Sequence, residues 1–232
     1  MIKVAVFGAK GRMGAAVCQA VEEAEDTELV GAVDSGDDRS AALGADVIVD
    51  FTTPDAVMDN LSWAISHDIN TVVGTTGFDD ERYQTLRDQL ANHPSTGCLV
   101  APNFSIGAVL MMHFAEQAAK FYESAEIIEL HHPNKVDAPS GTARTTATKI
   151  AAARQEAGFG EVPGATKRQL DGARGAVVDG VHVHGVRLRG LIAHQEVLFG
   201  AEGEALTLRH DSLDRVAVMS GVLSWVRGGG AG

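Results

Sequence analysis

Short apolar runs alternate with helical stretches along the first hundred residues. Five β-rich runs lie at residues 2–7, 29–33, 47–51, 71–73 and 98–101. The segments between them carry the longer period of amphipathic helices, at 15–24, from Thr53 to about His67, and at 79–90. Thr53 is predicted to cap the second helix, with Pro54 at its first position. This alternation predicts a parallel sheet with right-handed crossovers and helices on both faces.

The pattern changes after Pro102. A long helix rich in Ala, Met and Phe is predicted at 106–123, a strand at 125–131, and a helix from Ser140 to about Ala157. Strands then follow one another without helices between them, at 176–178, 182–188, 195–199 and 205–209. Consecutive strands predict antiparallel or mixed pairing, and therefore a second domain of the α+β type. A last helix is predicted at 215–226, before a flexible glycine-rich tail at 228–232.

The composition of the chain excludes several classes of protein and of binding site. The chain has 31 acidic residues against 19 Lys and Arg, a formal charge of −12, whereas nucleic-acid and anionic-membrane surfaces need a cationic excess. The longest uncharged stretch, 97–112, is too short and too often polar to span a bilayer. Cys18 and Cys98 are far apart and lack CxxC spacing, so we expect no disulfide framework, no zinc site and a reducing cytoplasm.

The first strand runs directly into a glycine-rich turn, Gly8-Ala9-Lys10-Gly11-Arg12-Met13-Gly14, which opens the first helix. Such a turn lets the backbone approach a pyrophosphate, which the free N–H groups of the helix N-terminus bind. Asp34 ends the second strand, where an acid suits a ribose 2′-hydroxyl. An ordinary βα turn is the alternative, but the context favours a Rossmann-type dinucleotide site.

The same residues bear on which dinucleotide is used. Lys10 and Arg12 could attract the 2′-phosphate of NADPH or simply face solvent, whereas Asp34 would repel that phosphate. We therefore expect use of NADH, NADPH or both. Ligands of such sheets bind beyond the carboxyl ends of the strands, so the nicotinamide half is expected against two loops, Gly74-Thr75-Thr76-Gly77 and Ala101-Pro102-Asn103-Phe104. Plain turn chemistry is equally open for Gly77 and Pro102.

The segment from Glu129 to Thr142 concentrates titratable groups after one strand. His131 and His132 are adjacent and point to opposite sides of an extended chain, so a shared metal is not expected. Acid–base work by His and Lys135 is the better interpretation, because histidine titrates near neutrality. Ser140-Gly141-Thr142 at a helix N-terminus forms a second anion cradle, although Ser140 could serve only as a cap.

Two further histidines, His182 and His184, alternate on one predicted strand. They are more typical of an exposed polar strand face than of a catalytic pair.

Four segments together resemble the 4-hydroxy-tetrahydrodipicolinate reductase family, also called dihydrodipicolinate reductase. They are the glycine turn 8–14, Gly74-Thr75-Thr76-Gly77-Phe78, Ala101-Pro102-Asn103-Phe104-Ser105, and Glu129 through Thr142. The run His-His-Pro-Asn-Lys-Val-Asp-Ala-Pro-Ser-Gly-Thr is specific to that family, whereas the glycine turn alone is not. The resemblance covers nearly the whole chain in the right order, but family chains usually continue a little beyond the point where 228–232 stands here.

The resemblance implies an organisation and a set of site residues. A Rossmann-type domain would comprise 1–104 and 213–232, and a substrate-binding and tetramerisation domain 105–212. His131 and Lys135 match the catalytic proton donors, with His132, Gly141 and Thr142 as substrate contacts and Ser140 beside them. Cofactor contacts would come from Gly8, Ala9, Lys10, Gly11, Arg12, Met13, Gly14, Asp34, Gly74, Thr75, Thr76, Ala101, Pro102, Asn103 and Phe104.

The expected activity is the reduction of a cyclic dicarboxylate imine by NAD(P)H, with loss of water, in lysine and diaminopimelate biosynthesis. The partners implied are that small substrate and three further copies of the chain, with no metal. Two other hypotheses remain open, a non-catalytic NAD(P)-sensing regulator and another amino-acid-pathway dehydrogenase. The loop 131–142 discriminates against a sensor, which needs no proton donor beside an anion cradle.

Overall fold

A computed structural model describes residues 1–101, 103–214 and 216–229 of the chain. The chain forms two compact units. The N-terminal unit comprises Met1–Ser105 together with the last described helix, and the central unit comprises Ile106–Asp214.

The N-terminal unit is a parallel α/β structure, as the alternating pattern predicts. Its elements in chain order are β1 (Ile2–Phe7), α1 (Arg12–Glu23), β2 (Thr27–Val33), β3 (Val47–Asp50), α2 (Val57–Ser66), β4 (Asn70–Val73), α3 (Asp80–Leu90) and β5 (Cys98–Val100). The strands are parallel, in the order β2-β1-β3-β4-β5. The winding direction reverses between β1 and β3, and ligands of such sheets bind at the carboxyl ends of the strands flanking that point.

The central unit is mixed. It contains α4 (Ile106–Ala118), β6 (Ser124–His131), α5 (Gly141–Glu156), β7 (Ala176–Val178), β8 (Val181–Arg187), β9 (Ala193–Ala201) and β10 (Glu204–Ser212). The order is β10-β9-β6-β8-β7. Only the β6–β8 pair is parallel, whereas the other pairs are antiparallel. The predicted mixed α+β pairing is therefore confirmed.

Burial explains why the strands of the N-terminal unit are apolar on both faces. Val4 and Val6 of β1 pack in one cluster with α1 and with the last helix, α6 (Val216–Gly229). Ala5 and Phe7 pack on the opposite face, in a cluster that includes Ala64 of α2. Both faces of β1 are thus covered, which a strand at the centre of a parallel sheet requires.

The central sheet is covered by helices on one face. Met111 of α4 and Ile150 of α5 pack against Ile127, Val183 and Phe199 of the strands. The residues of β6 that alternate with this set, including Ile128 and Leu130, point to the opposite face and are only half-buried.

Several element ends differ from the prediction, and the largest shifts include the start of α2 and the end of α4. Helix α2 begins at Val57, not beside Pro54, because the Thr53 carbonyl closes a turn by accepting from the amides of Ala56 and Val57. The Thr53 side chain is therefore not the cap, and the apolar face of α2 starts only at Val57. Helix α4 ends at Ala118, where the Phe121 amide bonds three residues back and the helical ladder stops.

The C-terminal helix is longer than predicted, because α6 continues through Gly228 to Gly229. The rest of the predicted tail, 230–232, lies outside the described residues, as do Arg215 and Pro102.

Candidate active site

The glycine turn after β1 is a tight backbone corner in which two glycines are sterically required. Gly8 has a φ of +79°, and a Cβ there would lie 2.5 Å from the Phe51 carbonyl oxygen. A Cβ on Gly14 would lie 2.0 Å from the Gly8 carbonyl oxygen. Gly11 caps α1 without a side chain, and Ala15 N–H bonds to its carbonyl. The amides that precede Ala15 are those that a helix N-terminus offers to an anion.

A cavity of about 530 Å³ adjoins this turn along the carboxyl ends of β1, β2 and β3. Of the predicted cofactor residues, Gly8, Gly11 and Asp34 line it. Thr52 and Asn60 line it from the other side. A concave cleft at the switch point of a parallel sheet, beside a helix N-terminus, fits a dinucleotide.

The other residues of the turn are not part of the lining of this cavity. Ala9 and Met13 are half-buried and pack against the β1 core, whereas Arg12 is exposed.

Asp34 is positioned by backbone amides. Its carboxylate accepts from the amide of Lys10 at 2.7 Å and from that of Ser35 at 2.8 Å. These bonds hold the pKa of Asp34 below its usual range, with the Ser35 amide contributing most. The Lys10 ammonium lies 3.0 Å from Asp37. Asp37 also lines the cavity, and the motif-based prediction missed it.

The two predicted nicotinamide loops follow β4 and β5. Gly74 is required because a Cβ would lie 2.1 Å from the Phe51 ring. Thr75 is buried and donates its hydroxyl to Asp50 at 2.7 Å, whereas Thr76 is exposed. The Phe104 ring lies 5.8 Å from that of Phe51.

Ala101 and Asn103 precede Phe104 and are half-buried, and the Asn103 side chain accepts from the Ser105 amide. Among the described residues, these two loops lie beyond the lining of the 530 Å³ cavity.

The central unit contains a second cluster, built around a buried carboxylate. Glu129 and His131 lie two residues apart on β6, on the same face. The His131 Nδ1 atom lies 2.6 Å from Glu129 Oε2. Arg187, which pairs with His131 across β6 and β8, donates two hydrogen bonds to Glu129, at 2.7 and 2.8 Å. Glu129 is 0% exposed.

This arrangement sets the protonation of the histidine. Because a carboxylate is an acceptor only, Nδ1 of His131 carries the proton and the neutral ring keeps Nε2 as its acceptor. Burial lowers the pKa of His131, and Glu129 opposes that shift. The bonds from Arg187 and His131 hold the pKa of Glu129 below its usual range against its burial.

The N-terminus of α5 adjoins the same carboxylate. The Ser140 amide donates to Glu129 Oε1 at 3.2 Å, and the Ser140 hydroxyl accepts from the Ala143 amide. Ser140 is thus an N-cap and is buried, which leaves Gly141 and Thr142 as the more accessible residues of the predicted cradle. A Cβ at Gly141 would meet no protein atom within 4 Å among the described residues, so the space above it is open.

Lys135 and His132 lie on the loop between β6 and α5. The Lys135 ammonium is 2.6 Å from Asp137, and the Lys135 amide donates to the His132 carbonyl. Nδ1 of His132 is buried and, within the described part of the chain, has no hydrogen-bond partner. A buried polar atom left in this way is one that a ligand can satisfy.

The remaining histidine pair has structural partners. His184 Nε2 lies 2.7 Å from Glu126, and His182 Nδ1 lies 2.7 Å from the Arg174 carbonyl. Residues 1–101, 103–214 and 216–229 contain no group of three or more His, Cys, Asp or Glu arranged to hold a metal ion. Over the same residues, no helix is long and apolar enough to cross a membrane.

Motif matching missed Glu129, Arg187 and Asp37 as site residues. The spacing of Glu129 and His131 on a predicted strand already places both on one face, so that pair could have been found. Arg187 is brought to them only by the β6–β8 pairing, 58 residues away in sequence.

A dinucleotide cleft on a parallel sheet and a separate histidine–carboxylate cluster define a two-domain oxidoreductase that works with a nicotinamide dinucleotide. Models of the N-terminus and the C-terminus of dihydrodipicolinate reductase match residues 2–104 and 107–229. The chain belongs to the dihydrodipicolinate reductase family.

Curated relatives agree with the family models. The chain is 89% identical to a 4-hydroxy-tetrahydrodipicolinate reductase of Cutibacterium acnes, over 98% of this chain and 93% of the relative. It is 64% identical to the protein of the same name from Thermobifida fusca, over 98% of this chain and 92% of the relative.

Solved structures agree as well. A dipicolinate-bound dihydrodipicolinate reductase from Paenisporosarcina sp. TG-14 has a TM-score of 0.87 and 39% identity, covering 100% of this chain and 95% of that one. A myo-inositol dehydrogenase from Corynebacterium glutamicum, with a TM-score of 0.60 and 16% identity over 100% and 89% of the two chains, shares the fold alone.

Proposed function

We propose that this chain reduces 4-hydroxy-tetrahydrodipicolinate to tetrahydrodipicolinate, with loss of water, in lysine and diaminopimelate biosynthesis. The hydride comes from NADH or NADPH when either is bound. The names of the close relatives support this reaction. The observation that carries it in this chain is the Glu129–His131 pair, because a protein that only senses a dinucleotide needs no oriented imidazole.

The cofactor would be held by the N-terminal unit. Gly8 and Gly14 allow the tight backbone turn on which a pyrophosphate would lie, because a Cβ at either position would clash with a backbone carbonyl oxygen. The α1 amides would meet the phosphates and Asp34 a ribose hydroxyl. Ala9, Lys10, Arg12 and Met13 shape the turn, and the loops 74–76 and 101–104 would contact the nicotinamide half.

Both cofactors are expected to work, with NADH the better one. Lys10 is the closest cation to Asp34 in the turn, but its ammonium is already paired with Asp37. A 2′-phosphate would have to compete with that carboxylate and tolerate Asp34 as well. Arg12 is exposed and would remain available to the phosphate.

The substrate's carboxylates would be bound by the central unit. The α5 N-terminus offers amides, Gly141 leaves room for an anion, and Thr142 adds a hydroxyl. Nδ1 of His132, which no described residue bonds, would be a further polar group for the substrate. His131 and Lys135 would supply the proton beside the accepting carbon, with Glu129 and Arg187 fixing the imidazole.

We propose that four copies assemble through the uncovered face of the central sheet. Ile128, Leu130 and Leu198 project from that face and are only half-buried, and Val177 is 61% exposed. Apolar surface of this extent is typical of an interface. Cys18 and Cys98 are both free thiols, which suits the reducing cytoplasm that we propose as the location.

The reaction is tested by following NADH absorbance with substrate made freshly from aspartate semialdehyde and pyruvate. Absorbance should fall only when both precursors have been condensed by a synthase beforehand. Oxidation of NADH by either precursor alone, at an equal rate, would assign the chain a different substrate.

A further inference from the structure

Asp50 and Glu129 are the two carboxylates with no exposed surface among the described residues, and Asp50 has so far been given no role. It is the last residue of β3 and is 0% exposed. Its Oδ1 atom accepts from the Thr52 amide at 3.0 Å, the Thr52 hydroxyl at 2.7 Å and the Thr75 hydroxyl at 2.7 Å. Its Oδ2 atom accepts from the Asn60 amide group at 2.8 Å.

Among the described residues, the four donors to this carboxylate include no cation. Four donors converge on two oxygens, which suits the acceptor-only, charged form. Every one of these donors is neutral, so hydrogen bonds rather than a cation hold the charge. The negative charge of Glu129, by contrast, is offset by Arg187. A buried charge held only by dipoles projects its field into its surroundings more strongly than a paired charge does.

The position of Asp50 in the sheet tells which part of a dinucleotide it faces. Asp34, at the end of β2, would meet the adenine-side ribose, and the glycine turn at the end of β1 would meet the pyrophosphate. A dinucleotide that continues in the same direction reaches β3 next, and then β4. Asp50 ends β3, and Thr75, to which it is bonded, follows β4. On that path Asp50 would underlie the nicotinamide half.

We propose that Asp50 is a positioning residue for the nicotinamide half of the cofactor, fixing Thr52 and Thr75 and supplying a negative potential beneath the ring. The inference rests on the proposed function, because it requires a nicotinamide cofactor. When bound, the dihydronicotinamide would supply a hydride with both electrons of its C4–H bond. The substrate would gain that hydride and one proton and would lose water, and the nicotinamide ring would change from neutral to a charge of +1.

A fixed negative charge near that ring favours the oxidised cofactor over the reduced one. The same field favours the transition state, in which part of the positive charge has formed, and it needs no rearrangement at the moment of reaction. Neutral hydrogen bonds alone would position both forms of the cofactor equally, so a purely structural Asp50 would not discriminate between them.

The test compares the affinities of the oxidised and reduced cofactors. NADH binding is measured by its fluorescence, and NAD⁺ binding by displacement of NADH, in wild type, Asp50→Asn and Asp50→Ser. The Ser variant leaves space for a water and serves if Asn at this buried position impairs folding, which thermal melts reveal. Thr75→Val is the matched control, because it removes one hydrogen bond of Asp50 and keeps the charge.

Removal of the charge should raise the ratio of the NAD⁺ to the NADH dissociation constant about tenfold, which corresponds to about 1.4 kcal/mol. Thr75→Val should change the two constants by the same factor. An unchanged ratio in a folded Asp50 variant, or an equal change of the ratio in Thr75→Val, would overturn the proposal. Failure of the wild type to bind NADH would instead refute the proposed function itself.

Discussion

Glu129→Gln changes one charge at the centre of the proposed proton-donor site and preserves the shape of the side chain. Glu129 accepts two hydrogen bonds from Arg187, one from the His131 imidazole and one from the Ser140 amide. The amide oxygen of a Gln can still accept hydrogen bonds, but its NH2 group is a donor and cannot take the place of the second carboxylate oxygen. The Arg187 guanidinium, whose side chain is 21% exposed, then loses its ionic partner.

The structure sets the size of the effect on stability. Removing one partner of a buried ion pair costs about 3–5 kcal/mol, and the lower end applies because Arg187 is partly solvated and still donates to the Asp137 carbonyl. A loss of about 3 kcal/mol corresponds to a fall in Tm of roughly 6–12 °C for a chain of this size. The pKa of Glu129 lies below its ordinary value of 4.5. Its stabilisation is therefore present above that pH, and the difference between variant and wild type should shrink in more acidic solution.

The effect on catalysis has a defined sign. Glu129 raises the pKa of His131 against the lowering effect of burial. Without the carboxylate that pKa falls further, so the protonated imidazole forms only at lower pH and the descending limb of the pH–rate profile moves to lower pH. Denaturant titration above and below pH 4.5 measures the effect on stability, and NADH oxidation between pH 5 and 9 measures the effect on catalysis.

Glu126→Gln is the matched control for this experiment. Glu126 lies on the same strand and is bonded to Arg174 and His184, but it points to the opposite face. Glu126→Gln should have the same pH–rate profile as the wild type when the two proteins are compared in the same oligomeric state. The reasoning fails if Glu129→Gln keeps the wild-type profile, or if Glu126→Gln shifts the profile as much.

Four further outcomes are expected. NADH and NADPH should support turnover within about tenfold of each other, a difference under ~1.4 kcal/mol. A thousandfold preference in the steady-state kinetics of the wild type would contradict that expectation. Asp37→Ala releases Lys10 and should therefore improve kcat/KM for NADPH relative to NADH about tenfold. Thr142→Val should raise KM for the dicarboxylate roughly ten- to a hundredfold and leave NADH affinity unchanged, whereas a lower Tm with an unchanged KM would mean that Thr142 only supports the helix. Light scattering at micromolar concentration should give the mass of four chains, and a monomer mass would disprove assembly through the central sheet.

Sequence patterns predicted the layers of the fold because burial dictates them. The continuous apolar run of β1 indicates a strand covered on both faces, and its residues pack in two separate clusters. The predicted start of α2 was wrong, because a turn closed by the Thr53 carbonyl precedes the helix. The Thr-Pro pair in the sequence does not distinguish that turn from a capped helix. Turn chemistry of this kind depends on backbone bonds that side-chain identity does not determine.

The candidate site was predictable where its residues are neighbours in sequence. His131 ends β6, Lys135 lies on the loop that follows, and the α5 N-terminus comes directly after that loop, while the glycine turn is continuous. The role of Arg187 and the proposed role of Asp50 could not be predicted from the sequence. The pairing of β6 with β8 brings Arg187 to its partners, and the packing of α2 brings Asn60 to Asp50. A buried carboxylate looks the same as a surface one in sequence, and only the structure reveals which donors it meets.

The central claim is that His131 supplies the proton that accompanies hydride transfer. The most direct measurement is turnover of His131→Gln with freshly made substrate, alongside the NADH dissociation constant of the same preparation. The account predicts a turnover lower by roughly 10²–10⁴, with NADH affinity as in wild type, because the cofactor would be bound by the N-terminal unit. Turnover close to wild type in this variant would contradict the account and would leave His131 a structural residue.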